Sequence, residues 1–486
     1  MSLKTLCTVV VILALTSCSN ATPEQQIVND AAQALGGKAK VQAARTLTLD
    51  GEGTNFNIGQ DMVPGASTQT FALSRYRRVV DIGPERQRIE QTRTPTFAYF
   101  QGPQAQNQVF GLDGEAGYNV APNGTPSRLA ATAAQDRRVE FYHHPLLIVR
   151  AALDPAAKLA NAQTVGNERQ LDITTPSGIT VTLVVDSAGL PTRVTSKTDQ
   201  ANLGDVTITT SFADYQDIGG LKLPAKLTTK TDEFTTAELR ATQQTVDGDV
   251  GDLKLPEAAA ATPLPAASPA VIVTVEPLGK GLWLLAGQSH HSVLVEFSDH
   301  LLLIEAPQSE ARTLAVIAKA RELAPGKTLT KLVTTHHHFD HTGGLRAAIS
   351  EGLGVVTHSG NKAFVETMAK RPHTIRPDAL AKASKAVTVE TVAEEMVLKD
   401  AAMEIALYHV AGSPHSDTML MAYIPKERIL VEVDVFSPGA QVQPYAANLL
   451  ENVKRRNLRV DRIVPLHGAI VPFAELAKAL LPPASR

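Results

Sequence analysis

Six consecutive residues constrain this chain more than anything else in it. His336-His337-His338-Phe339-Asp340-His341 follows the apolar, β-branched run Lys331-Leu332-Val333-Thr334-Thr335 and precedes Gly343-Gly344. No hydrophobic core calls for such a density of imidazole and carboxylate. Nearby cations do, because borderline metals take imidazole nitrogen and carboxylate oxygen readily. On an extended segment side chains alternate with period two, so His336 and His338 point the same way and can share one metal. Asp340 and His341 follow the turn and can reach a second metal. His337, between the candidate ligands, is expected to point away and pack.

Three further positions complete the set. His415 sits in Gly412-Ser413-Pro414-His415-Ser416-Asp417, Asp434 ends the apolar run Ile429-Leu430-Val431-Glu432-Val433, and His467 follows Ile463-Val464-Pro465-Leu466. Each lies just past a strand-like stretch or in a Gly/Pro-containing loop, where functional residues gather. Each is weak alone and gains weight from following the first motif in order.

With these residues in place, the chain resembles the metallo-β-lactamase fold superfamily over roughly residues 271–486. The carriers are H-x-H-x-D-H at 336–341, then His415, Asp434 and His467 in turn. The resemblance implies an αββα sandwich and a two-metal centre. His336, His338 and His415 would bind the first metal; Asp340, His341 and His467 the second; Asp434 would bridge them. In one large group of zinc β-lactamases the bridging position is Cys. Here it is Asp, as in the thioesterase, lactonase and phosphodiesterase branches, which makes β-lactam hydrolysis a lesser expectation. Many members carry an Asp where this chain has Glu305. Glu305 either orients a ligand His from outside the coordination sphere or is an ordinary exposed strand-end carboxylate. Zinc is the default metal, and His/Asp ligation also admits iron or manganese.

The chemistry expected of such a centre is hydrolysis. Two metals about 3.5–4 Å apart can share a water and lower its pKa toward about 7, giving a hydroxide nucleophile. Asp340 can hold that nucleophile in line and accept its proton. The expected bond is an ester, lactone or amide-like bond of a small molecule, with a phosphodiester or β-lactam as the alternative. No P-loop, dinucleotide fingerprint or serine elbow is present. The formal charge of −3, without a long basic run, argues against a nucleic-acid partner.

The N-terminus reads as an export signal: Lys4 precedes the short apolar stretch Leu6–Leu15. Leu15-Thr16-Ser17-Cys18 matches the bacterial lipobox, so residues 1–17 are expected to be removed and Cys18 lipidated. This predicts a periplasm-facing lipoprotein, with Ser19 favouring the outer membrane. The only other cysteine, Cys7, lies in the signal, so the mature chain offers no Cys nucleophile or ligand.

With 486 residues the chain is long enough for two or three domains. Of 14 histidines, only His143 and His144 precede residue 290, so metal chemistry belongs to the C-terminal part. Residues 256–270 carry four prolines and read as a linker. The segment 18–255 reads as mostly antiparallel β, opened by one helix that Thr22, Pro23 and Gln25 start and Gly36-Gly37 stop. It weakly resembles the curved sheets of periplasmic lipoprotein-carrier domains, which hold acyl chains. That likeness supports a second class of function, a non-catalytic hydrophobe-binding lipoprotein. His143-His144 reads as a surface pair, and His300, His358 and His373 as surface or loop residues. His409, His290, His291 and Tyr445 are lesser candidates for the pocket. Loops 370–385 and 436–447 are where substrate specificity is expected.

Overall fold

The computed structural model describes residues 21–66, 69–97, 104–266, 271–439, 442 and 444–481. The signal segment and Cys18 lie outside them, as does the end of the linker at 267–270.

The first element is helix α1 (Pro23–Ala34). Its capping box forms as the sequence predicts: Thr22 Oγ1 accepts from Gln25 N, and the Gln25 side chain accepts from Thr22 N. Gly36 and Gly37 follow with positive φ, which ends the helix. Beyond it, and among the described residues, thirteen strands build one continuous antiparallel sheet. The first strand, β1 (Thr46–Phe56), pairs with β2 (Thr70–Asp81) on one side and with Phe234–Val246 on the other. The chain thus returns to its start and closes the order of the sheet around its middle. Ile27, Ala31 and Leu35 of the helical opening pack with Leu146, Ile148 and Val149 of the helix Pro145–Ala152 against one face of this sheet.

The Pro-rich segment is not featureless. It carries a helical turn, Glu257–Ala260, with Ala259 fully buried.

The C-terminal part is an αββα sandwich. A seven-stranded and a six-stranded sheet face each other. Leu282, Val295, Leu302, Val333 and Val356 of the first interdigitate with Ile405, Leu407, Ala422, Val431 and Val464 of the second. Helix Glu310–Leu323 packs on the outer face of the first sheet through Val316, Ile317 and Ala320. Helix Pro444–Arg455 covers the outer face of the second through Leu449 and Val453. The first strand of this part runs Thr274–Gly279.

Pairing direction positions the site. His300–Ile304, Thr328–Val333 and Gly354–His358 run parallel, as do Ile429–Glu432 and Arg462–Pro465. Their carboxyl ends therefore face one edge, and the loops after them meet there.

Candidate metal centre

That edge collects the predicted residues. His336 lies just past the strand Thr328–Val333, Asp434 past Ile429–Glu432, and His467 past Arg462–Pro465. Asp434 adopts φ +59°, a left-handed conformation that an Asp tolerates better than most residues. Its turn is held by Glu432, whose buried carboxylate accepts from Val435 N and Phe436 N at 3.2 Å each. Burial pushes the Glu432 carboxyl well above the usual range.

The donor atoms fall into two groups, each within 4.8 Å of one another. One is His336, His338, His415 and Asp434; the other is His290, Asp340, His341 and His467. Asp434 touches both. Its Oδ2 lies 3.4 Å from His336 Nε2, 3.2 Å from His415 Nε2 and 3.0 Å from His341 Nε2, and its Oδ1 lies 2.9 Å from His467 Nε2. Every residue of the predicted ligand set is thus brought together.

These residues fit a metal. His338 Nδ1 is buried and makes no hydrogen bond, and His336 Nε2 and His415 Nε2 have Asp434 Oδ2 before them, an arrangement that costs free energy without a ligand. The opposite nitrogens of two of them are engaged: His336 Nδ1 with Thr335 Oγ1 at 3.1 Å, and His338 Nε2 with the Asp61 carbonyl at 3.0 Å. Such bonds turn the free nitrogen of each ring toward the group's centre. Burial pushes His336 down to about 3 and His338 well below its ordinary value, so both are neutral, as ligands must be.

The second group carries surplus negative charge. Burial alone would lower His341, but the Asp434 charge and the bonds from Asp434 and Glu305 outweigh it and hold its pKa well above the ordinary value. Burial alone would raise Asp434, but the His341 charge and the bonds from His336, His341 and His415 hold it well below. A proton on His341 sits where a cation would serve the same charges.

Glu305 is not an exposed strand-end carboxylate. It is fully buried; Oε2 meets His341 Nδ1 at 3.2 Å and Oε1 accepts from Thr335 N at 2.6 Å. One carboxylate therefore fixes the His341 ring and the start of the 336–341 loop together.

His290 belongs in the second group more firmly than its sequence context suggested. Its Nε2 is 3.3 Å from Asp340 Oδ2, and its ring lies 3.9 Å from that of His467. The signal available was a His-His pair immediately before a strand. His291 turns away instead, its Nδ1 accepting from Gly287 N.

Other expectations change. His143 and His144 are buried, not a surface pair: His143 bonds Thr210 and Ser196 at 2.9 Å each, inside the N-terminal sheet. His373 is buried too, against Asp199 at 3.1 Å. His337 points away from both groups, as expected, and meets Thr418 Oγ1 at 3.3 Å. His409 does not line the site; its Nε2 takes the Asp417 carbonyl at 2.8 Å and steadies the His415 loop. Tyr445 is buried with its ring 5.3 Å from that of His415.

One comparison with known proteins agrees with this geometry. Residues 286–467 match the Metallo-beta-lactamase superfamily. That stretch is similar to the superfamily. Its members bind metal ions, typically zinc, and the match points to a metal-dependent hydrolase. Among solved structures, the DIM-1 metallo-beta-lactamase is 18% identical, with 43% of this chain and 96% of that one covered and a TM-score of 0.34. A metallo-beta-lactamase from Pontibacter korlensis is 18% identical over 43% and 97%, at a TM-score of 0.33. The Flv1 flavodiiron core from Synechocystis is 16% identical over 43% and 60%, at 0.34. No curated protein matches the chain.

Proposed function

We propose that this protein is a dinuclear-metal-dependent hydrolase of the cell envelope, directing water at an ester, lactone or amide-like bond of a small molecule. One observation carries the reading: two groups of His and Asp donors share Asp434, and the buried His338 Nδ1 in the first has no partner. His336, His338 and His415 would hold one metal, and Asp340, His341 and His467 the other, with Asp434 between them. Zinc is the first choice for this donor set; iron and manganese are the alternatives. When bound, such metals supply a water of lowered pKa and a Lewis acid for the oxyanion.

The chain's own groups do the rest. Asp340 is half-exposed, at 41%, and so faces the approaching substrate. Burial would raise its carboxyl, but the bond from His290 and the His341 charge hold it far below the usual range. It stays an anion at working pH, orients the attacking water by accepting its hydrogen bond, and passes the proton on rather than storing it. His290 fixes the rotamer of that carboxylate. Glu305 holds His341 against rotation.

The envelope location rests on the lipobox Leu15-Thr16-Ser17-Cys18, which would anchor the chain through a lipid on Cys18 with the enzyme facing the periplasm, at the outer membrane. A second reading, hydrophobe binding, has its own support. A cavity of about 570 Å³ opens in the N-terminal sheet, lined by Leu73, Phe110, Val206, Ile208, Leu227 and Leu239.

A chromogenic panel of lactone, ester, β-lactam and phosphodiester substrates tests the hydrolase. Turnover of one class, abolished by chelator and restored by zinc, manganese or iron, supports it. An inert protein across the panel with each metal supplied contradicts it.

A further inference from the structure

The loop between β1 and β2 leaves its own sheet and lies across the metal-ligand loops. Four consecutive residues each make a contact. Gly59 O accepts from Phe339 N at 3.1 Å. Gln60 Nε2 donates to Asp340 Oδ1 at 2.7 Å. Asp61 O pairs with His338 Nε2 at 3.0 Å. Met62 O accepts from Asp417 N at 2.9 Å and from Ser416 Oγ at 3.4 Å. The first three grip the ligand run 338–340, and the fourth grips the loop that carries His415.

We propose that this N-terminal loop is part of the metal centre, with Asp61 positioning a ligand of the first metal and Gln60 a ligand of the second. The inference rests on the dinuclear reading above and extends it to residues some 280 positions upstream.

The chemistry of each contact is specific. A carbonyl can only accept, so the Asp61 carbonyl requires the proton of a neutral His338 to sit on Nε2. That leaves the lone pair on Nδ1, the buried nitrogen without a partner. Gln60 occupies Asp340 Oδ1 and leaves Oδ2 on the side of His290 Nε2 and His341 Nε2, 3.3 and 3.5 Å away. Packing alone would explain neither alignment. A loop that merely filled space would have no reason to meet one ligand from each group with consecutive residues.

Gly59 makes the approach close enough. Its φ is +78°, and a Cβ there would stand 2.2 Å from Phe339 Cγ. Any side chain must push the loop off the ligand run. The N-terminal sheet therefore supplies more than a spacer: it anchors both ends of this loop, in β1 and β2.

Zinc binding to the full-length chain, titrated against a competing chelator, tests the proposal without any substrate. Gln60→Leu keeps the bulk and removes the donor. It should weaken the second zinc by about 10–100-fold and leave the first unchanged. Gln60→Glu, which sets a carboxylate against Asp340, should weaken it further. Gly59→Val should weaken both zincs, because it displaces the Asp61 carbonyl as well. Circular dichroism identifies variants that remain folded, and Gln60→Leu decides alone if Gly59→Val does not fold. Wild-type zinc affinities in folded Gln60→Leu overturn the proposal and leave the hydrolase reading standing. A wild type that binds no zinc, manganese or iron overturns both.

Discussion

At the residue scale, the centre is a balance between buried donors and buried charge. His336, held down to about 3, is the neutral imidazole at neutral pH, whereas His341 is held well above its ordinary value and is the imidazolium. A metal in the second group must displace the His341 proton, so binding releases it and strengthens as pH rises toward the His341 pKa. Calorimetric titrations of zinc in buffers of different ionisation heat should show about one proton released near pH 7, with weaker binding at about pH 6. Uptake of protons, or no dependence on pH, would contradict the charge arrangement. Glu305→Gln keeps the shape and removes one of the charges that hold that proton. It should cost about 10–100-fold in metal affinity, read by chelator competition, and shift the pH dependence of binding to lower pH. The ligands at 336–341 were legible because six neighbouring residues carry the pattern. Gln60 was not legible, since nothing in Asn57-Ile58-Gly59-Gln60 distinguishes it from any polar loop.

At the element scale, the strand–loop–helix units of the C-terminal part follow from local pattern. Helix Glu310–Leu323 and the strands Leu282–Ala286 and Ser292–Glu296 are each a single short run of apolar or helix-forming residues. The first helix of the chain follows from local pattern too, because its capping box is local chemistry. His143-His144 escaped a local reading because burial is decided by the sheet that wraps them, whose strands come from far along the chain. His144 is the N-cap of the helix Pro145–Ala152, fully buried, with neither ring nitrogen hydrogen-bonded. Burial depresses it to about 3 and His143 to about 4. The unfolded chain therefore takes up these protons first. The stability tied to the neutral rings is complete above about pH 6.5 and drains away as pH falls toward 4. Thermal melts across that range should fall steeply for the wild type and more gently for His144→Phe. Parallel curves would show that His144 does not titrate between the states.

At the scale of the whole molecule, the contacts that join the sheet domain to the sandwich among the described residues include two clasps. One is the loop over the ligand run. The other joins the turn at 202–205 to the segment 371–375: Asp205 accepts from Thr374 N at 2.9 Å and Ile375 N at 3.1 Å, Asn202 Nδ2 reaches Thr342 Oγ1 at 2.7 Å, and Arg371 pairs with Asp232. Loop 370–385, expected from sequence to shape specificity, is therefore tied in part to the N-terminal domain. Asp205→Ala removes the acceptor for two backbone donors and should cost about 1–3 kcal/mol, read by chemical denaturation, with faster proteolysis in 371–378. Unchanged stability and proteolysis would show the clasp to be incidental. Contacts of this kind join residues about 170 positions apart, and no local pattern announces them.

The central claim is that the two donor groups around Asp434 hold metals that the reaction needs. Elemental analysis of the chain from Ser19 onward, beside His338→Ala and with turnover followed on the same samples, tests it most directly. Close to two metals per wild-type chain are expected, and in the variant fewer metals and a loss of transition-state stabilisation of several kcal/mol. A folded wild type that stays free of metal and inert after zinc, manganese and iron are supplied would contradict it.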